Sequence, residues 1–244
     1  MKLLHIGCSW SQISNWNYEY SSPVIELQQS LKTLHNIDVT TYSANRGGTS
    51  LDMHLDLLLQ TLDLDIKYDG IIFQVTAGDR GYIRHNKKLK LSTDDFEKFD
   101  NIHGQSNYIL QRWLGENYCW FSPGAIGPDE NTTLHSFAKK YRKIKTTAST
   151  LDLQVDYLGN ILTAKKIMQA TNIPFIIYAH TLDAQWWSKP HIRDLVHQEL
   201  DFVVNEQVDS KKYIIDNGEH FNYEGNKEVA EKLLLPLALK RFTS

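Results

Sequence analysis

Residues 70–75 read Gly-Ile-Ile-Phe-Gln-Val, a short run apolar enough to be buried on both faces, as a strand inside a parallel sheet is. Similar runs recur on either side of it. Residues 2–6 (KLLHI), 38–42 (DVTTY, β-branched in its middle), 173–179 (IPFIIYA) and 213–216 (YIID) read as four further strands. Between them lie segments with helical spacing. In residues 23–34, Ser22 is placed to cap, Pro23 fits the first turn, and Val24, Leu27, Leu31 and Leu34 share a face. In residues 49–62 the stripe is Leu51, Leu55, Leu58, Leu59 and Leu62. Helices are also expected over 151–170, near 192–205 and over 224–240. Strands separated by helices predict an α/β protein with a parallel five-stranded sheet between two helical layers. Residues 81–149 break the rhythm: they are polar and aromatic, with Trp113, Trp120, Gly124 and Gly127 and no clear period. A structureless loop of that length does not suit a compact domain, so this stretch reads as an insertion with some helix of its own within one domain spanning 1–244.

Composition excludes several function classes. The 244 residues carry a net charge of -3, so no global basic field draws the chain to nucleic acid or to anionic lipid. The basic run Lys139 to Lys143 reads as a solvated helix face. Two cysteines, Cys8 and Cys119, make no disulfide framework and suit a reducing compartment. There is no CxxC or HExxH, and Asp52, Asp56, Asp63 and Asp65 are spaced as a polar helix face and linker, so no metal site is expected. The first apolar run is far shorter than a signal-peptide core, and no stretch approaches a membrane span. The expectation is a cytoplasmic chain with no membrane partner. A phage-encoded product released by lysis would have the same signature.

In a parallel sheet the ligand sits beyond the carboxyl ends of the strands. Here those ends deliver Gly7-Cys8-Ser9, Asn45-Arg46-Gly47-Gly48, Thr76-Ala77-Gly78-Asp79-Arg80, Ala179-His180-Thr181 and Asp216-Asn217-Gly218-Glu219-His220. A serine hydroxyl needs a base within hydrogen-bond reach to act as a nucleophile. Histidine is the usual base, and a carboxylate or amide fixes its tautomer. Ser9, His220 and either Asp216 or Asn217 supply that set. The backbone N–H groups of Ser9 and Gly47 can serve as donors to a developing oxyanion, and glycine allows the close approach. Asn45 can brace the second loop, Asp79 can bond loop amides, and Arg80 is a candidate for an anionic substrate group.

GCSWS, NRGG, TAGDR and DNGEHFNYEGN resemble, in order and rough spacing, the four sequence blocks of the SGNH hydrolases, the GDSL-like esterase and lipase superfamily. The resemblance implies a flavodoxin-like α/β/α sandwich. It also implies Ser9 as nucleophile, Gly47 as oxyanion donor, His220 as base, and no metal or organic cofactor. Two positions depart from the pattern. Gly78 stands where the third block carries a donor asparagine, leaving Asn45, Arg80 or Thr76 to substitute. Asn217 stands three residues before His220, where the family has aspartate, and Asp216 is one position further back. Trp10 lies next to Ser9, and Trp186-Trp187 follow the fourth strand on the ligand side, where flat rings stack on sugars. Trp113 and Trp120 read as core. The function expected is hydrolysis of a small acyl ester, an O-acetyl group on a carbohydrate above all. Acyl transfer by the same serine, or a binding protein that keeps the fold without turnover, are the alternatives.

Overall fold

The computed structural model describes residues 1–8, 21–45, 49–76, 81–84, 90–121, 126–127, 150–182, 189–215 and 220–243. In chain order its elements begin with β1 (Lys2–Gly7), α1 (Pro23–His35), β2 (Thr40–Asn45), α2 (Leu51–Leu62) and β3 (Gly70–Val75). Next come β4 (Gly81–Arg84), β5 (Glu97–Asp100), β6 (Ser106–Ile109), α3 (Gln111–Asn117), β7 (Tyr118–Phe121) and β8 (Ile126–Gly127). The remainder is α4 (Thr150–Thr171), β9 (Phe175–Ala179), α5 (Pro190–Glu199), β10 (Phe202–Val203), α6 (Val204–Gln207) and α7 (Ser210–Tyr213). It closes with β11 (Ile214–Ile215), β12 (His220–Phe221), α8 (Tyr223–Val229), a π-helical turn (Ala230–Leu234) and α9 (Leu235–Phe242).

The main sheet among the described residues has seven strands in the order β10-β9-β3-β1-β2-β6-β5. All neighbours are parallel except β5, which pairs antiparallel with β6. The α/β/α class expected from the sequence holds, and the sheet is wider than the five strands expected. Residues 213–216 do not supply the fifth parallel strand: Ile214–Ile215 pairs antiparallel with His220–Phe221, outside the main sheet. That place is taken by Phe202–Val203 beside β9. Within the 81–149 stretch, β5 and β6 extend the main sheet. Strands β4, β7 and β8 form a second, antiparallel sheet. It is joined to α2 through Tyr118, whose buried hydroxyl donates to Asp56 Oδ2 (2.6 Å) and accepts from Gln60 Nε2 (2.7 Å).

Side-chain alternation along β1 and β3 feeds two cores. Leu3, Ile72 and Ile176 face α1, the π-helical turn and α9, where Leu27, Leu31, Leu234 and Ala238 meet them. Leu4, Ile6, Ile71 and Phe73 face α2, α4 and α5, against Met53, Leu57, Ile161 and Val196. Helix α1 begins as its sequence predicts: Ser22 Oγ accepts the Ile25 N–H, Pro23 opens the first turn, and Asn36 in the left-handed region (φ 56°) ends it. Two apolar positions of the expected stripes lie outside the core, Leu34 at 62% and Leu59 at 50% exposure. In α2 the buried face runs instead through Leu51, His54, Leu58 and Thr61. Trp113 is buried in the core, as expected. At the far end of the sheet the Arg241 guanidinium forks onto Asp201 (2.6 and 2.7 Å) and reaches Phe175 O (2.6 Å), fixing α9 to β9. No helix among the described residues is long and apolar enough to cross a membrane.

Candidate active site

The parallel register aligns the carboxyl ends of the central strands. Gly7 lies opposite Asn45, Ile6 opposite Phe73, and Val75 opposite Ala179. Cys8, Asn45, Thr76 and His180 therefore share one rim of the sheet. Ser9 and Trp10 follow Cys8 directly, Gly47 lies two residues past Asn45, and Gly78, Asp79 and Arg80 follow Thr76. These six, together with Asp216, Asn217, Trp186 and Trp187, lie outside the described residues. Two of the candidate residues, Asn45 and His220, lie within them.

A buried polar network underlies the rim. The Cys8 N–H donates to Gln74 Oε1 (3.0 Å), and the Cys8 thiol reaches the same oxygen (3.4 Å). His54 Nδ1 donates to the main-chain oxygen of Gln74 (3.1 Å). His54 Nε2 lies 2.8 Å from Thr49 Oγ1, which in turn sits 3.4 Å from Gly7 O. The ends of β1 and β3 and the entry to α2 are thus held by side chains that are wholly or almost wholly buried. Further back along β1, His5 Nδ1 meets Ser43 Oγ (2.9 Å) and Asn45 Nδ2 (3.3 Å). The amide nitrogen can only donate, so Nδ1 accepts and His5 is neutral. Burial, reinforced by His54, pushes the His5 pKa down to about 3. Asn45 thus sits beneath the rim as a brace on His5, buried itself.

His220 is brought to the same region by β12. It lies opposite Ile215, so Asp216 and Asn217 belong to the four residues joining the two short strands. The HFNxxG context has a physical basis. Asn222 caps α8, its Oδ1 accepting the Gly225 N–H at 2.9 Å, while its own N–H donates to Tyr213 O at 2.8 Å. Gly225 lets the helix pack directly on the strand: a Cβ there would stand 2.5 Å from Tyr213 Cβ and 3.1 Å from Phe221 Cβ. Neither neighbour is the far end of a flexible chain, so Gly225→Ala must displace α8, Tyr213 or Phe221. It is expected to cost about 1–3 kcal/mol of stability, measured by urea denaturation.

His180 was not among the residues singled out by sequence. It ends β9, is buried, and packs edge-on to the Phe221 ring with centroids 4.8 Å apart. Burial first, and the charge of His220 second, hold its pKa down to about 3. The two histidines are therefore electrostatic neighbours. The sequence signal was present in Ala179-His180-Thr181, a strand end like the others. Gln74, His5 and His54 gave none, since each interrupts an apolar run whose partners lie far away in the chain.

No family model matches the sequence, and no curated protein matches it. Solved structures do. The crystal structure of TesA is similar over 98% of this chain and 98% of its own, with 12% identity and a TM-score of 0.50. The lipase Lip_vut3 from a goat rumen metagenome aligns over 96% of each chain, with 11% identity and a TM-score of 0.49. The fold shared with TesA is an α/β/α sandwich, and here the rim just described lies at the carboxyl edge of its sheet.

Proposed function

We propose that this chain is a serine hydrolase that cleaves a small acyl ester. The observation carrying this reading is the shared rim. The strand ends that precede Ser9, Gly47 and residues 77–80 are in register with one another. Phe221, the residue after His220, packs its ring against His180 at that rim, with centroids 4.8 Å apart. In the proposed reaction the Ser9 hydroxyl attacks the ester carbonyl while His220 takes its proton, with Asp216 or Asn217 orienting the ring. The tetrahedral oxyanion is held by the Ser9 and Gly47 N–H groups. Collapse expels the alcohol, which receives the proton from His220 and leaves an acyl-serine. Water then attacks this acyl-serine by the same proton route and releases the acid.

The substrate proposed is an O-acetyl group on a carbohydrate, supported by Trp10 beside Ser9 and by Trp186-Trp187 after the β9 end. A sugar hydroxyl in place of water would give acyl transfer. Gly78 and Asn217, where the sequence pattern of SGNH hydrolases has a donor asparagine and an aspartate, favour a second reading: a binding protein without turnover. A fluorophosphonate probe decides between reaction and binding. One label per chain on Ser9, lost in Ser9→Ala together with cleavage of a chromogenic acetate, is the expected result. A wild type that is neither labelled nor active would overturn the hydrolase reading.

A further inference from the structure

Exposed apolar side chains gather on one helical layer. Among the described residues six large ones stand exposed, and four of them lie on α2, α4 and α5: Leu59, Val155, Leu162 and Leu195. Single apolar side chains are ordinary on a surface, whereas several on one face mark a place of contact. Helix α4 packs against both α2 and α5, so it is the middle of this layer. Helices α4 and α5 lead into the parallel strands β9 and β10 and so run the same way. Lys165 donates to Glu199 (2.8 Å), which puts Leu195 and Leu162, each about one turn earlier, at the same level.

Gly159 lies at the centre of the exposed arc of α4, which runs from Asp152 to Ala170. Backbone conformation does not call for glycine there, since Gly104 is the described glycine with a positive φ. Packing within the chain does not call for it either. No described atom beyond the helix's own backbone comes within 4 Å of the place a Cβ would take. Glycine weakens a helix interior, but it also leaves a flat spot where another backbone can approach. The neighbouring Thr163 hydroxyl is turned back onto Gly159 O (2.7 Å). The charges on the same face change sign across Gly159: Asp152 and Asp156 are exposed before it, and Lys166 is exposed after it.

From this arrangement we propose that α4 docks on α4 of a second copy of this chain, antiparallel, with the two-fold axis at Gly159. Asp152 and Lys166 are equally far from Gly159, so antiparallel pairing sets each against the other across the axis, and parallel pairing would set like charges together. Val155 and Leu162 close beside the axis, with Leu59 and Leu195 at the flanks. The three helices, each about 10 Å wide, present roughly 650 Å², somewhat less than the roughly 800 Å² per partner of a standard interface. The dimer is therefore weak and reversible, and it is independent of the reaction at the rim.

Sedimentation velocity on the full chain tests the pairing. The wild type is expected to show a monomer–dimer equilibrium with Kd on the order of 10 µM. Gly159→Leu places a bulky side chain on the axis and is expected to raise Kd at least about 100-fold. Lys166→Glu is expected to raise it about 10-fold, and Asp152→Lys combined with Lys166→Glu to return it to within a few-fold of wild type. Melting curves at a dilution where all are monomers separate contact from fold: leucine suits a helix better than glycine, so Gly159→Leu should melt no lower than wild type. If Gly159→Leu does not fold, the charge exchange decides. A wild type that stays monomeric up to about 200 µM overturns the dimer and leaves the face to another part of this chain or to a different protein. A dimer that Gly159→Leu and Lys166→Glu leave unchanged uses another face and overturns it as well. A double variant no tighter than Lys166→Glu overturns the antiparallel register.

Discussion

Exchanging His220 for glutamine is expected to lower kcat for acetate-ester cleavage by about 10⁴-fold while leaving KM within a few-fold of wild type. Glutamine is close in length and still forms hydrogen bonds, but it cannot take a proton from the Ser9 hydroxyl and return it to the leaving alcohol. The loss therefore falls on the chemical steps rather than on binding. His220 is only partly buried, at the end of a two-residue strand, so the variant should fold with nearly the stability of the wild type. A steady-state comparison at neutral pH, with a melting curve for each protein, checks both halves. Equal kcat in the two proteins would remove the base from the proposed mechanism.

Acid lability is the second large effect. His5 and His180 have pKa values near 3, both lowered chiefly by burial, against an ordinary value of 6.5. Between pH 6.5 and 3 the unfolded chain binds a proton at each of these positions and the folded chain does not, so stability rises with pH across that window. It is fully present above about pH 6.5 and drains away as the pH falls, by up to about 1.4 kcal/mol per pH unit for each histidine. At pH 5 the two together should cost about 4 kcal/mol relative to pH 7, a large share of the roughly 5–15 kcal/mol that holds a typical domain folded. Each proton would also enter beside a second histidine, His54 for His5 and His220 for His180. Urea denaturation at the two pH values measures the difference, and His180→Gln should remove about half of it. A flat profile between pH 7 and 5 would mean that both rings reach solvent or a compensating carboxylate.

The sequence was legible where signals are local. The apolar runs of β1, β3 and β9 and the cap and proline of α1 announce themselves within a few residues. The NxxG turn after His220 does so too, because Asn222 and Gly225 bond to each other. Features decided by distant partners were less legible. Phe202–Val203 is too short to stand out as a strand, and it became one by lying beside β9. Residues 213–216 had the right composition for a core strand, and pairing with His220–Phe221 drew them out of the sheet. Strand β5 is the mostly exposed edge and β6 beside it alternates buried and half-buried positions, so neither carries a long apolar run. Leu34 and Leu59 have helical spacing but stand largely exposed. The buried polar residues were the least legible: Glu26 looks like one more charge on a helix, and only the fold brings His103 to it.

Helix α1 also sets a condition on synthesis. Its apolar side, Val24, Leu27 and Leu31, is covered largely by α8, the π-helical turn and α9. Ser21 and Asn226 are 205 residues apart, so a ribosome working at roughly 5–20 residues per second needs about 10–40 s to deliver the cover after the stripe has been made. Throughout that interval the nascent chain carries a greasy helix that lacks its carboxyl-terminal cover. Early translation products therefore need shelter from a chaperone or from transient non-native collapse. Slower synthesis lengthens the exposure, and a fragment ending before residue 220 never escapes it.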